Sequence, residues 1–438
     1  MGKKLLLLAA LLSVALVGTT YAAVENIKVS GDLNSEAVVR DITLGVAPVT
    51  TDGDDDDQYA FTQIRLRFDA DLTEGVSAVI RLINERLWGE ETATDTGTDL
   101  DLAYVELKEF LYEQISLTIG RQNLWYGNGL IIGASNNNTT GDIDSITIGG
   151  SSLRKSFDAV KAVFDYAPFV LDLVYAKIEE NTVDQDDDVN LMGLNVAYVW
   201  DSNNGITEAY LFGVNRAPFG TAADSVDPKN KVYVVGARNQ LDLNDNFGLG
   251  LELAYQFGDY RTSDSAHQHL DAYAIQLNAE YKLLNDYDAK FGLQYTYLSG
   301  DDADSDNYQG WNPLFEDQSP GDILDTLFGN TNMQYLKASV AAVPREDVTI
   351  GLNYTYARLA EKVTANLSHP SSVSSTGTYA LNLDKKDIGQ EIDLVGIFDY
   401  TEDVQIKLAG GLFLPGDLFD KANDNSGYSV RAGINVDF

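Results

Sequence analysis

The chain of 438 residues contains no cysteine, only three histidines, and few basic residues. Without cysteine, neither a disulfide nor a thiolate metal site can form. His267, His269 and His369 leave little material for a zinc site or for general-base chemistry. The 30 lysines and arginines face 67 acidic residues, and the net charge is −37. This balance argues against nucleic-acid binding, because phosphates require a basic surface.

Long apolar runs are also absent after the first residues of the chain. Lys3 and Lys4 precede an apolar stretch from Leu5 to Val17, and Thr20-Tyr21-Ala22 then offers small residues for cleavage after Ala22 or Ala23. A transmembrane helix needs about 20 apolar residues, so an uncleaved anchor is the weaker alternative. We predict a signal peptide over residues 1–23 and one domain over 24–438. Removing Lys3 and Lys4 would take the net charge from −37 to −39.

What the chain does contain is apolar residues at every second position. Over residues 428–438, Tyr, Val, Ala, Ile, Val and Phe alternate with Ser, Arg, Gly, Asn and Asp. Residues 273–282, 290–297 and 350–356 alternate in the same way. The 24 tyrosines and 37 glycines also suit a chain rich in strands and turns. A soluble sandwich would show the same period, so alternation alone predicts only strands.

The length of the alternating segments and their connections favour a membrane barrel. The segments are as long as tilted membrane strands, aromatic residues gather near their ends, and short connections alternate with long, acidic ones. The predicted short turns are Thr73 to Gly75, Phe110 to Glu113, Ala167-Pro168, Asp201 to Gly205, Asp242 to Asn246, Leu284 to Tyr287, Pro344 to Glu346 and Thr401 to Asp403. Counting between them predicts an all-β, antiparallel up-and-down transmembrane barrel of about 18 strands, closed because lipid cannot satisfy a sheet edge. A barrel of this size leaves an aqueous lumen unless loops fold into it.

Phe438 is the last residue of an alternating strand. A C-terminal aromatic residue of this kind resembles the signal that the outer-membrane assembly machinery reads, although a chance phenylalanine is the alternative. We therefore expect localisation in a bacterial outer membrane, with lipid and lipopolysaccharide as surroundings.

Several short segments, in order along the chain, resemble the alginate-export family of porins. They are Gly120 to Leu124 with Tyr126 to Gly129, Arg154 to Tyr166 leading into Leu171 to Lys177, Leu298 to Asp301 with Trp311, Pro313 and Phe315, Gly389 to Leu394, and Phe413 to Asp417. The resemblance implies an 18-stranded monomeric barrel that passes anionic polysaccharide through a pore lined by basic residues.

Strand parity and the family-like segments together predict the residues that line the pore. They are Arg65, Arg67, Arg81, Arg121, Arg154, Lys161, Arg238, Lys337, Lys407 and Arg431, with the acidic Glu391 and Asp393. One interpretation is an electropositive track for anions. The other is a mixed lining in which each basic side chain pairs with a nearby acid. The parity of Arg81 and Arg121 is ambiguous, and a β-bulge would explain either.

An aspartate-rich segment raises the question of a calcium site. Asp302, Asp304 and Asp306 have the spacing that begins some calcium loops, but Pro313 stands where the closing glutamate should be. We therefore predict no cofactor and at most weak divalent-cation binding by acidic loops.

The connection from Asn123 to Ser152 is long enough to narrow the pore by folding inward, with a flexible external loop as the equal alternative.

The function predicted from the sequence is a channel for polysaccharide, oligosaccharide or small anionic solutes. The dense anionic rim would repel a polyanion from outside, which favours export. The alternatives are a general diffusion porin and a structural surface barrel without transport. A barrel enzyme is disfavoured because no serine motif accompanies the three histidines.

Overall fold

The computed structural model describes residues 26–45, 57–89, 97–134, 152–180, 188–215, 230–263, 266–364, 367–368 and 378–438. The predicted signal peptide over residues 1–23 lies outside the described residues. In the part of the chain that the structure describes, no helix combines the length and apolar character needed to span a membrane.

Within the described residues, eighteen strands form one closed antiparallel sheet. They are β1 (Asn26–Asp41), β2 (Asp57–Thr73), β3 (Val76–Leu87), β4 (Asp99–Leu107), β5 (Ile115–Asn123), β6 (Ser156–Tyr166), β7 (Phe169–Glu179), β8 (Val189–Val199), β9 (Ile206–Asn215), β10 (Lys231–Asp242), β11 (Phe247–Ser263), β12 (Ala266–Lys282), β13 (Lys290–Leu298), β14 (Met333–Arg345), β15 (Val348–Leu359), β18 (Asp387–Asp399), β19 (Val404–Pro415) and β20 (Gly427–Asp437). A small hairpin, β16 (Leu367–Ser368) and β17 (Thr378–Tyr379), lies outside this sheet, and a short helix α1 (Asp322–Leu327) lies between β13 and β14. The predicted fold class and strand number are confirmed.

The barrel closes where β1 pairs with both β2 and β20. Phe438 continues this seam, because its backbone N–H donates to Gly31 O at 2.9 Å and its carbonyl accepts from Gly31 N at 2.8 Å. Its ring covers Gly31, where an added Cβ would lie only 2.7 Å from the ring. A residue without a side chain is therefore needed at position 31 for the ring to lie on the sheet.

Short turns join the strands at one end of the barrel, and every predicted turn lies at this end. Residues 74–75, 167–168 and 346–347 are the tightest of these connections. At the other end the connections are long, except that only residues 264–265 separate the two 17-residue strands β11 and β12. Since outer-membrane barrels have short periplasmic turns and long external loops, the turn end is the periplasmic end.

The outer face is apolar, as alternation predicted, and carries aromatic residues in two bands. The band near the turns contains Tyr166, Phe169, Trp200, Tyr281, Phe291 and Tyr400, and the other contains Tyr175, Tyr233, Tyr255, Tyr273 and Tyr354. Amphipathic rings at these two levels suit the two membrane interfaces.

The inner face departs from simple alternation towards the external end. Val232 and Val234 on β10 and Phe212 and Val214 on β9 point inward and are fully buried. A water-filled lumen would expose such residues, so something must cover them. Two inserted loops do so.

Candidate pore constriction

The loops that enter the barrel are L3 (residues 124–155, described over 124–134 and 152–155) and L7 (residues 299–332). L3 follows β5 and L7 follows β13. The sequence offered an inward or an external course for the first of these, and its described residues lie inside the barrel. L7 is the larger insertion, and the sequence did not identify it as one.

The two loops bind each other through their backbones. Ile132 and Phe315 form a parallel bridge, in which Phe315 N donates to Ile131 O at 3.1 Å and Gly133 N donates to Phe315 O at 2.7 Å. One step along, Asp317 N donates to Gly129 O at 2.8 Å. These pairings satisfy backbone groups that a buried loop would otherwise leave unpaired. L3 and L7 therefore form one unit across the lumen.

Asn128 attaches this unit to one side of the barrel wall. Its Oδ1 accepts from Arg238 Nε on β10 at 3.0 Å, and its Nδ2 donates to Gln276 Oε1 on β12 at 2.9 Å. Arg238 is in turn held by Glu208 on β9, with Nη1 to Oε2 at 2.5 Å. The neighbouring Gly127 has φ +58°, and a Cβ there would lie 3.2 Å from the Arg238 side chain. Glycine thus allows the loop to approach the wall closely.

A second part of the wall, formed by β18 and β20, holds helix α1 of L7. Glu391 on β18 is fully buried and accepts from Ile323 N and Leu324 N, both at 2.7 Å. Arg431 on β20 pairs with Asp322 at 2.5 Å and with Glu36 of β1 at 3.4 Å. A carboxylate that accepts two backbone N–H groups suits the start of a helix. The insertion is therefore fastened at two separate parts of the barrel wall.

Apolar packing supplies most of the attachment energy. Leu130, Ile131 and Ile132 of L3 join Trp311 and Phe315 of L7 in one cluster against the inner walls of β6 to β13. Ile323, Leu324, Leu327 and Phe328 of L7 form a second cluster against β14 to β19. Full burial of one such side chain contributes about 1.5–3 kcal/mol, so the docked position is strongly favoured.

Replacing Glu391 should loosen α1 specifically. In Glu391→Ala, two buried N–H groups lose their acceptor, and we expect α1 docking to weaken by about 2 kcal/mol. Hydrogen exchange at the Ile323 and Leu324 amides should accelerate accordingly. Glu391→Gln keeps one side-chain oxygen, so its exchange rates should lie between those of the unmodified protein and those of Glu391→Ala. Unchanged exchange in the alanine variant would show that the clusters alone hold the helix.

L7 also contains two acidic side chains that are partly buried, Glu316 and Asp325. Glu316 Oε1 accepts from Asn330 Nδ2 at 2.9 Å, and Gln318 N donates to its Oε2 at 2.5 Å. Burial raises the pKa of Glu316 to about 7, and the nearby Asp325 adds to the rise. Burial and the charge of Asp322 raise the pKa of Asp325 to about 7 as well. L7 therefore changes its charge close to neutral pH.

Most of the predicted pore-lining residues lie on the inner face, and most pair with acids. Arg65 pairs with Asp32 at 2.9 Å, Arg67 with Asp69 at 2.7 Å and Arg81 with Asp101 at 2.5 Å. The other members on inward-facing positions are Lys161, Arg238, Lys337, Lys407, Arg431, Glu391 and Asp393. This pairing favours the mixed lining over a continuous basic track. Whether solute follows these residues stays a prediction.

Arg121 was placed wrongly, since it lies on the outer face. It shares its face with Ile119, which is exposed to the exterior, and pairs across the strands with Asp158 at 3.1 Å. The bulge that disturbs the alternation lies in β4, where Asp101 is the extra residue between two register partners of β3. Arg121 is thus an outward residue near the external end of β5, where a charge can reach the membrane interface.

Arg154 lies inside the barrel but is not exposed to the lumen. Its side chain is 4% exposed and pairs with Glu85 at 3.0 Å and Asp99 at 2.9 Å. Glu85 also accepts from Leu153 N at 2.9 Å. The arginine therefore fastens the returning end of L3 to β3 and β4.

The family model for alginate export matches residues 47–432, which is most of the chain. The chain belongs to the alginate export family. A search of curated proteins found no match. The barrel resembles OpdQ of Pseudomonas aeruginosa at a TM-score of 0.57, with 14% identity over 96% of this chain and 99% of that one. OccK3 (OpdO) of the same species gives 0.58, with 12% identity over 95% and 97%.

A BenF-like porin from Pseudomonas fluorescens Pf-5 gives a TM-score of 0.55, with 12% identity over 95% of this chain and 99% of that chain. At these identities the likeness concerns the fold, and the fold is that of outer-membrane porins. Family and fold together are those of a transport porin of the bacterial outer membrane and not of an enzyme. In the part of the chain that the structure describes, L3 and L7 are loops of this porin that lie inside the barrel.

Proposed function

We propose that this porin is a selective channel for small hydrophilic solutes, including short oligosaccharides and small anions. The observation that carries the proposal is the L3–L7 unit, which lies inside the barrel and is fastened both to β10 and β12 and to β18 and β20. A long polysaccharide would need that unit to leave the lumen. Small solutes need only the space that it leaves open.

Three arginines on neighbouring strands favour solutes that carry a carboxylate. Arg67 of β2 and Arg81 of β3 are direct register partners on the inner face, and Arg65 lies two residues along. Like charges directly opposite each other are unfavourable, so this arrangement costs stability. Each guanidinium has more N–H donors than its single acidic partner uses, and the remainder can bind an anion.

The size limit separates this proposal from its alternatives. Liposomes containing the purified porin should swell quickly in monosaccharides and slowly in sugars of four or more units, because the docked loops restrict the passage. Equal rates across the series would instead support a general diffusion porin. A lack of both swelling and ion conductance would overturn transport and leave a structural surface barrel.

The two arginines of β2, Arg65 and Arg67, offer a direct test of anion preference. Arg65→Glu with Arg67→Glu reverses two charges beside Asp32 and Asp69, and the reversal potential in a salt gradient should shift clearly towards cations. Lys28→Glu, on the same inner face of β1 beside Asp69, is the single-charge comparison. An unchanged reversal potential in the double variant would remove these two arginines from any selectivity role.

Other expectations from the sequence stay predictions that accompany this proposal. They are export through a signal peptide over residues 1–23, recognition of Phe438 by the assembly machinery, contact with lipopolysaccharide, a monomeric state, no cofactor, and weak divalent-cation binding by the acidic loops. In the described part of the chain, no three histidine or acidic side chains lie close enough to hold a metal ion.

A further inference from the structure

Below the inserted loops lies a cavity of about 610 Å³, which we call the vestibule. Its roof consists of Asn128 from L3 and residues 317–319 from L7, and its wall is the inner face of β10 to β14 with part of β15. It extends from the constriction towards the turn end of the barrel. Its volume is within the range of small-molecule sites.

Side-chain amides dominate the wall of the vestibule. Gln240, Asn278 and Gln294 stand at one level, linked in register through Gly250. Ser339 and Asn353 are register partners at the next level towards the turns. Between these side chains, Gly248, Gly250 and Gly292 occupy inward positions and keep the space open. At Gly292, an added Cβ would lie 2.3 Å from Ser339 Oγ, so a side chain there would close part of the wall.

The charged groups of the vestibule are of both signs, and each has an ion-pair or hydrogen-bond partner within the protein. Lys282 pairs with Glu280 at 3.2 Å, Lys155 pairs with Asp317, and Asn204 donates to Asp242 at 2.9 Å. Lys337 Nζ donates to Ser319 O at 3.0 Å. Charges of both signs therefore lie close together in the vestibule, so it has no field of one sign that would select a charged solute.

The amides, by contrast, have hydrogen-bonding capacity left over. Asn278 donates to Gln276 at 3.3 Å, and Gln294 donates to Thr296 at 3.1 Å, but the side-chain oxygens of both accept no hydrogen bond from the described residues. Asn353 and Ser339 likewise make no side-chain hydrogen bond within that part of the chain. An apolar solute would displace water from these groups without replacing its hydrogen bonds, which is unfavourable.

We infer that the vestibule is a binding site for the hydroxyl groups of a saccharide unit, recognised by side-chain amides and without need of charge. The inference rests on the proposed channel function and names the solute class for it. An amide presents both donors and an acceptor, and neighbouring sugar hydroxyls offer both in return. A polyol of this kind can pair with the unpaired amide oxygens of Asn278 and Gln294 and with the side chains of Ser339 and Asn353.

The test is a current-block experiment with the whole porin in a planar bilayer. Maltotriose, a neutral saccharide, should interrupt the ion current reversibly when added on the turn side. A polyethylene glycol of equal hydrodynamic size offers acceptors but almost no donors, and it should block far less. Equal block by both probes would overturn the inference, because size alone would then explain it.

Substitutions inside and outside the vestibule test whether maltotriose blocks the current by binding there. Asn278→Leu with Gln294→Met keeps the side-chain volumes and should weaken the maltotriose block by about tenfold, since two paired amides are lost. Asn353→Leu alone should weaken it by a smaller factor, and it serves if the double variant fails to insert. Asn435→Leu makes the same chemical change on β20, away from the vestibule, and should leave the block unchanged.

An unaltered block in the Asn278 and Gln294 variant, or in Asn353→Leu if only that protein inserts, would overturn the inference. Ion current without saccharide block would refute the vestibule site and leave the channel proposal standing. Absence of ion current in the unmodified porin would refute both.

Discussion

Replacing residues 299–332 with a short hairpin turn should raise the single-channel conductance several-fold. Leu298 at the end of β13 and Met333 at the start of β14 are direct register partners, so a tight turn can join them without moving either strand. The deletion removes the L7 part of the unit across the lumen. An 18-stranded barrel without such a plug holds an aqueous channel.

The deletion also uncovers apolar inner-wall residues, so barrel integrity needs its own measurement. Heat-modifiable migration on a gel reports the folded barrel independently of conductance. Phe315→Ala is the milder companion, because it removes the ring that packs at 5.7 Å against Phe157 but keeps the loop. We expect Phe315→Ala to increase the noise of the current without the several-fold rise in conductance that the deletion should cause. A folded deletion variant with unchanged conductance would show that L7 is not the constriction.

Raising the pH from 5.5 to 8 should increase the frequency of large openings by about tenfold, because L7 docking depends on protonated acids. The pKa values of Glu316 and Asp325 are raised to about 7 in the docked loop. A released loop would have the ordinary values, near 4.5 and 3.8. Docking therefore retains its full stability below the ordinary values and loses it progressively as the pH rises to about 7.

The pH dependence should disappear when the two groups can no longer ionise. Glu316→Gln with Asp325→Asn keeps the shape of the loop and should give a nearly flat opening frequency over this range. Asp304→Asn removes an exposed acid from the same loop and should preserve the dependence. The charged neighbours Asp317, Asp322 and Lys337 remain in every variant. A flat profile in the unmodified porin would contradict the role of Glu316 and Asp325.

The sequence by itself determined the barrel. Membrane strands must alternate, since one face meets lipid and the other meets the lumen, and residues 428–438 display that period without interruption. Turn residues marked every change of direction at the periplasmic end. Because these signals depend only on residues that are close in sequence, the strands and turns that they predict agree closely with the structure.

Parity was less reliable for individual pore residues. Arg121 was predicted to line the pore because it lies in a family-like segment, although it shares a face with the outward Ile119. The bulge at Asp101 lies in the neighbouring β4, opposite Arg81, and leaves the alternation of β5 unshifted, so Arg121 keeps the outward parity of Ile119. Register with the neighbouring strands decides the face.

Only the tertiary structure decided what fills the lumen. The acid-rich start of L7 was typical of an external loop, yet Trp311, Phe315 and Ile323 are buried inside the barrel. One signal did exist, because β10 carries Val232 and Val234 inward while Tyr233 and Val235 face outward. A strand apolar on both faces needs a cover on its inner side. Which loop supplies that cover depends on contacts between residues far apart in the chain, such as Glu391 with Ile323, and no local pattern encodes them.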